Sequence, residues 1–132
     1  MNITADTNLL ARAAIGDDLI QAAAAEAELA TADLVAVTVP ALCELVWVMS
    51  QGYEMNSARI SESIRGLLDT TNVIANAPEV EAGLAFLDAG GDFADGVIAY
   101  EGDLLGGETF VSFDRKAVRL IQEQGGRARL LS

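Results

Sequence analysis

Short segments with strand character, each separated by stretches with helical spacing, constrain the fold of this chain most strongly. The predicted strands cover residues 3–5, 34–37, 72–75, 109–112 and 128–131. The predicted helices cover residues 9–14, 19–32, 40–49, 55–68, 79–89, 92–105 and 113–124. Alternation of this kind favours a parallel sheet with helices on both faces. We therefore expect an α/β fold of three layers, α/β/α, around a short central parallel sheet.

The length and composition fit a single domain over residues 1–132. The chain is 52% hydrophobic, which is enough for a sizeable core, and domains most often contain about 100–150 residues. We find no internal repeat, low-complexity tract or linker that would divide it.

The charge and the missing histidine exclude several classes of function. Twenty acidic and eight basic residues give a net charge of −12, which opposes loose binding to nucleic acid or anionic membranes. The absence of histidine excludes the usual zinc sites and Ser-His-Asp catalysis. Any chemistry must therefore depend on carboxylates.

The only cysteine and the apolar segments bear on location. Cys43 cannot form an internal disulfide, and its apolar surroundings are typical of a core thiol in a reducing compartment. The longest apolar stretch, residues 34–49, is interrupted by Thr38, Pro40 and Glu44. We expect a cytoplasmic protein that does not associate with a membrane.

Two aspartates mark the start of the helix predicted after residue 91. Asp92 and Asp95 are three residues apart and should lie on one side of that helix. One interpretation is structural, with Asp92 as the N-cap and Asp95 as a first-turn acid that interacts with the helix dipole. The other is that both belong to a functional cluster of carboxylates.

Glu44 has a similar ambiguity, because it is the only charge in an apolar helix. Either it lies on an exposed face of that helix, or it points into a crevice where a cation compensates its charge. Asp6 and Asp114 follow predicted strands, at the edge where doubly wound sheets bind ligands.

If Asp6, Glu44, Asp95 and Asp114 converge, proton sharing or a bound cation must relieve their repulsion. Ligation by oxygen alone selects Mg²⁺ or Mn²⁺, with Ca²⁺ less suited to this chain. A water activated by such a cation suits the hydrolysis of phosphodiester bonds.

Four blocks of sequence resemble the PIN-domain nucleases. They are Ala5-Asp6-Thr7-Asn8-Leu9-Leu10, Glu44 within its apolar helix, Asp92-Phe93-Ala94-Asp95-Gly96-Val97-Ile98-Ala99, and Ser112-Phe113-Asp114-Arg115-Lys116-Ala117. Their order and spacing, which span nearly the whole chain, are most similar to the VapC toxins of bacterial toxin–antitoxin pairs.

The resemblance implies a PIN-like fold and Mg²⁺- or Mn²⁺-dependent endoribonuclease activity. Asp6, Glu44, Asp95 and Asp114 would form the acidic cluster, Asp92 would be an accessory ligand, and Asn8 and Ser112 would be supporting polar residues. It also implies a homodimer silenced by a cognate antitoxin. Two positions depart from the family pattern: Ser112 stands where Thr is common, and Gly96, where Ala is common, should loosen its helix by up to about 1 kcal/mol.

Basic residues near these blocks are candidates for contacts with RNA phosphates: Arg12, Arg115, Lys116 and Arg119. The alternative is that they are ordinary solvated charges on helix surfaces. The acidic balance also suits a basic antitoxin.

Two other functions remain open from the sequence. The chain could be an interaction module without catalysis, in which an acidic crevice docks a basic partner segment. A phosphohydrolase with an aspartyl-phosphate intermediate is less well supported, because Asn8 occupies the position where such enzymes carry a second Asp. A mean hydropathy of +0.31, together with the helices at 42–49 and 60–68, predicts exposed apolar area that favours a dimer.

Overall fold

All 132 residues are described by the computed structural model, which has five strands and seven α-helices. The strands are β1 (Asn2–Thr4), β2 (Leu34–Ala36), β3 (Val73–Ile74), β4 (Thr109–Ser112) and β5 (Arg127–Leu130). The helices are α1 (Thr7–Ile15), α2 (Leu19–Thr31), α3 (Val39–Trp47), α4 (Ser57–Leu68), α5 (Ala77–Asp88), α6 (Phe93–Leu104) and α7 (Arg115–Glu123). A π-helical turn, Val48–Gly52, continues α3. The predicted α/β class is therefore confirmed.

The strands pair in two parallel ladders, which differs from the single central sheet expected from the sequence. One sheet has the order β1-β2-β3, and the other contains only β4 and β5. The chain divides correspondingly into two compact units, Met1–Asn76 and Ala77–Ser132. Strands of two to four residues offer few ladder hydrogen bonds, and each ladder is formed within its own unit. The three-layer PIN-like arrangement and the single domain over residues 1–132 stay predictions.

The first unit is built around β2, which lies between its two parallel neighbours. Ile3 of β1 pairs with Val35, and Val35 pairs with Val73 of β3. Val35 is fully buried, as is typical of the central strand of a parallel sheet. Thr38 caps α3 by accepting a hydrogen bond from the Ala41 N–H, and Pro40 lies in its first turn.

The helices at 42–49 and 60–68 direct their apolar side chains inward, contrary to the expectation of surplus exposed area. The buried residues of these segments include Leu42, Leu45, Met49, Ile60 and Ile64. Trp47 is the exception, with 66% of its surface exposed. The apolar residues of these helices, which were predicted to leave exposed area, instead form the core of the first unit.

The second unit depends on close packing between α5 and α6. Gly83 of α5 lies against the ring of Phe93, which is fully buried, and Gly96 of α6 lies against the carbonyl oxygen of Ala82. Helix α7 covers the β4–β5 ladder with a buried cluster that contains Phe86, Ala117, Leu120 and Ile121. Glycine at the two contact positions allows the helices to approach each other closely.

Cys43 and the helix lengths bear on the expected location. Cys43 is half-buried, so the expectation of a core thiol is only partly correct. None of the helices has both the length and the apolar character needed to cross a membrane. The cytoplasmic location stays a prediction.

Candidate functional site

Asp6 is placed by the junction between β1 and α1. It is the N-cap of α1, and its Oδ1 atom accepts a hydrogen bond of 2.9 Å from the Leu9 N–H. The residue is exposed. Its second oxygen, Oδ2, accepts no hydrogen bond and is open to a ligand.

Glu44 lies on the exposed side of α3, while Leu42, Leu45 and Val46 of the same helix are buried. The Thr7 hydroxyl, in the first turn of α1, donates a hydrogen bond of 2.7 Å to Oε2 of Glu44. This bond fixes Glu44 beside the residue that follows Asp6. Two of the predicted acids therefore belong to one neighbourhood of the first unit, and Thr7 links them.

The other predicted polar residues of the first unit have different surroundings. Asn8 is exposed, and its side chain makes no hydrogen bond. Arg12 forms an ion pair of 3.4 Å with Asp17, which also accepts a hydrogen bond of 2.6 Å from the Tyr53 hydroxyl. This hydrogen bond and, to a lesser extent, the Arg12 charge lower the pKa of Asp17. Arg12 thus has an acidic partner, and its contact with a phosphate stays a prediction.

Asp92 and Asp95 lie at the beginning of α6, in the second unit. Asp92 is the N-cap, and its Oδ1 accepts a hydrogen bond of 3.2 Å from the Ala94 N–H. Asp95 is in the first turn and is half-buried. No hydrogen bond or ion pair compensates its carboxylate.

Asp114 caps α7 directly after β4. Its Oδ1 accepts hydrogen bonds from the N–H groups of Lys116 and Ala117, at 3.0 and 3.2 Å. The Ser112 hydroxyl oxygen accepts a hydrogen bond of 2.9 Å from the Asp114 N–H. Ser112 thus holds the backbone of Asp114, and its role as a supporting polar residue of a functional site stays a prediction.

Asp92, Asp95 and Asp114 of the second unit interact electrostatically. The pKa of Asp95 is raised, first by burial of its carboxyl group and then by the negative charges of Asp92 and Asp114. Residues from the start of α6 and the start of α7 therefore share one region of negative potential. We call Asp92, Asp95 and Asp114 the aspartate cluster.

Three basic residues lie on α7. Arg115 and Lys116 are exposed and form no ion pair, whereas Arg119 pairs with Glu123 at 3.6 Å. The Lys116 ammonium lies near Gly90, since a Cβ atom on that glycine would be 3.7 Å from Nζ. Arg115 and Lys116 are the cations free to meet a phosphate near the aspartate cluster.

The donor chemistry fits a hard divalent cation, because every candidate ligand is a carboxylate oxygen. No group of three or more Cys, Asp or Glu side chains is already arranged to hold a metal ion. Asp6 and Glu44 are grouped in the first unit, and the aspartate cluster is grouped in the second. Their combination in one site stays a prediction.

Comparisons with known proteins give no independent assignment. No protein-family model matches the chain, and no curated protein shows significant similarity to it. Any functional proposal therefore depends on the geometry of two sets of acids, Asp6 with Glu44 and the aspartate cluster.

The sequence assigned no individual role to Thr7 or Phe113, although both lie within the acidic blocks. The contact of Thr7 has no local signal, because its hydrogen-bond partner Glu44 lies 37 residues away. Phe113 was predicted to begin a helix, whereas it precedes the N-cap Asp114 and is 73% exposed.

Proposed function

We propose that the protein is a Mg²⁺- or Mn²⁺-dependent endoribonuclease of the PIN-domain class, most similar to VapC toxins. The observation that carries this proposal is the environment of the Asp95 carboxylate. Its carboxylate is half-buried beside the charges of Asp92 and Asp114, and no basic side chain compensates it. A bound dication would supply the missing positive charge.

Capping and metal ligation are compatible roles for these aspartates. In Asp6, Asp92 and Asp114, backbone N–H groups occupy Oδ1 only. Each carboxylate is therefore oriented by its helix and keeps Oδ2 available. Asp95 and Asp114 would hold the cation, with Asp92 as an accessory ligand, and the resemblance to PIN-domain nucleases implies Asp6 and Glu44 as further ligands.

The bound cation would lower the pKa of a ligated water and offset the negative charge of the RNA phosphate. The chain's own residues position these components. Thr7 fixes Glu44 by its hydroxyl, and Ser112 fixes the backbone of Asp114. Arg115 and Lys116 would offer local positive charge to the RNA backbone, which the chain's net charge of −12 otherwise repels.

Replacing Asp6 tests whether the first unit contributes to the reaction. We expect Asp6→Asn to reduce Mn²⁺-dependent cleavage of single-stranded RNA by roughly 100-fold, since a metal ligand is lost. Asp18→Asn is the matched control, because Asp18 caps α2 with a hydrogen bond of 3.1 Å to the Gln21 N–H in the same manner. Unchanged activity of Asp6→Asn would remove Asp6 from the site.

A second candidate is an interaction module that docks a basic segment without catalysis. The exposure of Asp6 and Glu44 favours it, because a partner segment can reach both carboxylates. Thermal stabilisation separates the two proposals, because each ligand stabilises only a protein that binds it. A module would be stabilised by a lysine-rich peptide and unaffected by millimolar Mn²⁺, whereas the nuclease would be stabilised by Mn²⁺ itself.

The partners proposed with the nuclease function are RNA, a basic antitoxin and a second copy of the chain. The net charge of −12 complements a basic antitoxin segment. The exposed Trp47 offers a large aromatic surface for self-association in the first unit. We expect a dimer mass in light scattering at about 50 μM. We expect Trp47→Ser to lower that mass, and a monomer for the unmodified protein would contradict the prediction.

A further inference from the structure

Phe113 is the most exposed aromatic side chain of the protein. It is 73% exposed, whereas Phe86 and Phe93 of the same unit are buried and Phe110 packs against the core. It lies between Ser112 and Asp114, directly beside the aspartate cluster. Packing in the core therefore does not explain why this position carries an aromatic residue.

The backbone on both sides of Phe113 is held by hydrogen bonds. The Asp114 N–H donates to the Ser112 hydroxyl oxygen, so the turn closes around Phe113. Asp114 then accepts from Lys116 and Ala117 at the start of α7. The turn at residues 112–114 thus has a hydrogen-bonded backbone, and it presents the Phe113 ring to solvent.

Two positively charged residues lie close to Phe113 in the sequence. Arg115 and Lys116 follow within three residues, are exposed and have no acidic partner. Exposed aromatic rings next to cations are characteristic of surfaces that bind single-stranded nucleic acid. The rings stack on bases and the cations contact the phosphates.

We propose that Phe113 stacks on a base of the single-stranded RNA substrate and binds the strand beside the aspartate cluster. This inference rests on the proposed nuclease function and adds a substrate-binding residue to it. A stacked base makes the protein require an unpaired strand.

Steady-state cleavage of a single-stranded RNA oligonucleotide with Mn²⁺ tests this inference. We expect Phe113→Ala to raise KM about tenfold and to leave kcat within about twofold, because base stacking contributes mainly to binding. Phe113→Trp should restore the KM. Leu105→Ala is the control, since Leu105 is 89% exposed in the same unit and lies outside the acidic blocks.

Fluorescence gives a readout that a merely structural role would not change. Trp47 is the only natural tryptophan, so the double variant Trp47→Phe, Phe113→Trp carries one reporter at the proposed contact. We expect the RNA oligonucleotide to quench this fluorescence, and an RNA of abasic nucleotides to quench it much less. Circular dichroism melting would verify that each variant is folded.

The possible outcomes separate the inference from the function. Cleavage by the unmodified protein with an unchanged KM in Phe113→Ala, or equal quenching by normal and abasic RNA, would overturn the stacking role alone. No Mn²⁺-dependent binding or cleavage by the unmodified protein would overturn both proposals. The full pattern of a raised KM, rescue by tryptophan and base-dependent quenching would establish the stacking contact.

Discussion

Replacing Asp95 by Asn is expected to abolish RNA cleavage while making the metal-free protein more stable. The loss of activity should be roughly 100-fold or more, because Asn carries no negative charge with which to hold a dication. The gain in stability follows from burial and from the charges of Asp92 and Asp114, which disfavour the ionised form of Asp95 in the folded protein.

The dependence on pH follows from the raised pKa of Asp95. The folded state binds the proton of Asp95 more tightly than the unfolded state does, so stability falls as the pH rises from the ordinary value of 3.8 through the folded pKa. Above that range the unmodified protein should melt a few degrees below Asp95→Asn when no metal is present. Below pH 3.8 the two melting temperatures should converge, because both side chains are then neutral.

Thermal melts over a pH series, with and without Mn²⁺, measure both effects. Addition of Mn²⁺ should raise the melting temperature of the unmodified protein and leave that of Asp95→Asn unchanged. Asp103→Asn is the matched control, because it removes the same charge from an exposed residue of α6 outside the aspartate cluster. A metal-free Asp95→Asn protein that is less stable at pH 7, or one that retains activity, would contradict the assignment.

The second large effect concerns Gly96, which follows Asp95 on α6. A Cβ atom at this position would lie 2.4 Å from the Ala82 carbonyl oxygen and 3.0 Å from Cβ of Phe86. The first of these atoms belongs to the backbone of α5, so the two helices would have to separate. We expect Gly96→Ala to lower the free energy of unfolding by about 1–3 kcal/mol, despite the better helix propensity of alanine.

Substitution of Gly102, in the same helix, is expected to have the opposite effect on stability. A Cβ atom there would meet no other atom within 4 Å. Gly102→Ala should therefore raise the free energy of unfolding by about 0.5–1 kcal/mol, through the reduced backbone entropy of the unfolded chain. Urea denaturation of both variants measures the contrast. Equal effects of the two substitutions would show that close packing does not determine the residue at position 96.

This contrast corrects an expectation from the sequence. Gly96 was expected to loosen its helix, because helix propensity was the only information available for that position. The structure instead gives it a packing role between α5 and α6. Propensity describes a residue within its own helix, whereas the contact with Ala82 depends on how two helices approach each other.

Local signals predicted the elements and the caps well. Strand β4 has the predicted bounds, Thr109–Ser112, and Asp92 is the N-cap that its sequence position suggested. These features depend on neighbouring residues, which a single sequence contains. The ladder pairing could not be obtained in this way, because a segment such as Val73–Ile74 carries no information about its partner.

The sequence could predict which acids of the second unit lie near one another, and the metal-dependent chemistry of the candidate site stays a prediction. Sequence reasoning selected Asp92, Asp95 and Asp114, and the raised pKa of Asp95 reflects their proximity within the second unit. The hydrogen bond between Thr7 and Glu44 joins residues 37 positions apart, and no local pattern encodes it. The exposed surroundings of Glu44 likewise depend on which face of α3 the first unit buries.

Direct titration of Mn²⁺ tests the central claim most directly, since the electron paramagnetic resonance signal of free Mn²⁺ is lost when the protein binds it. We predict that the unmodified protein removes this signal at submillimolar Mn²⁺, that Asp95→Asn does not, and that Asp103→Asn behaves like the unmodified protein. An undiminished signal with the unmodified protein, or equal binding by Asp95→Asn, would contradict a metal site at the aspartate cluster.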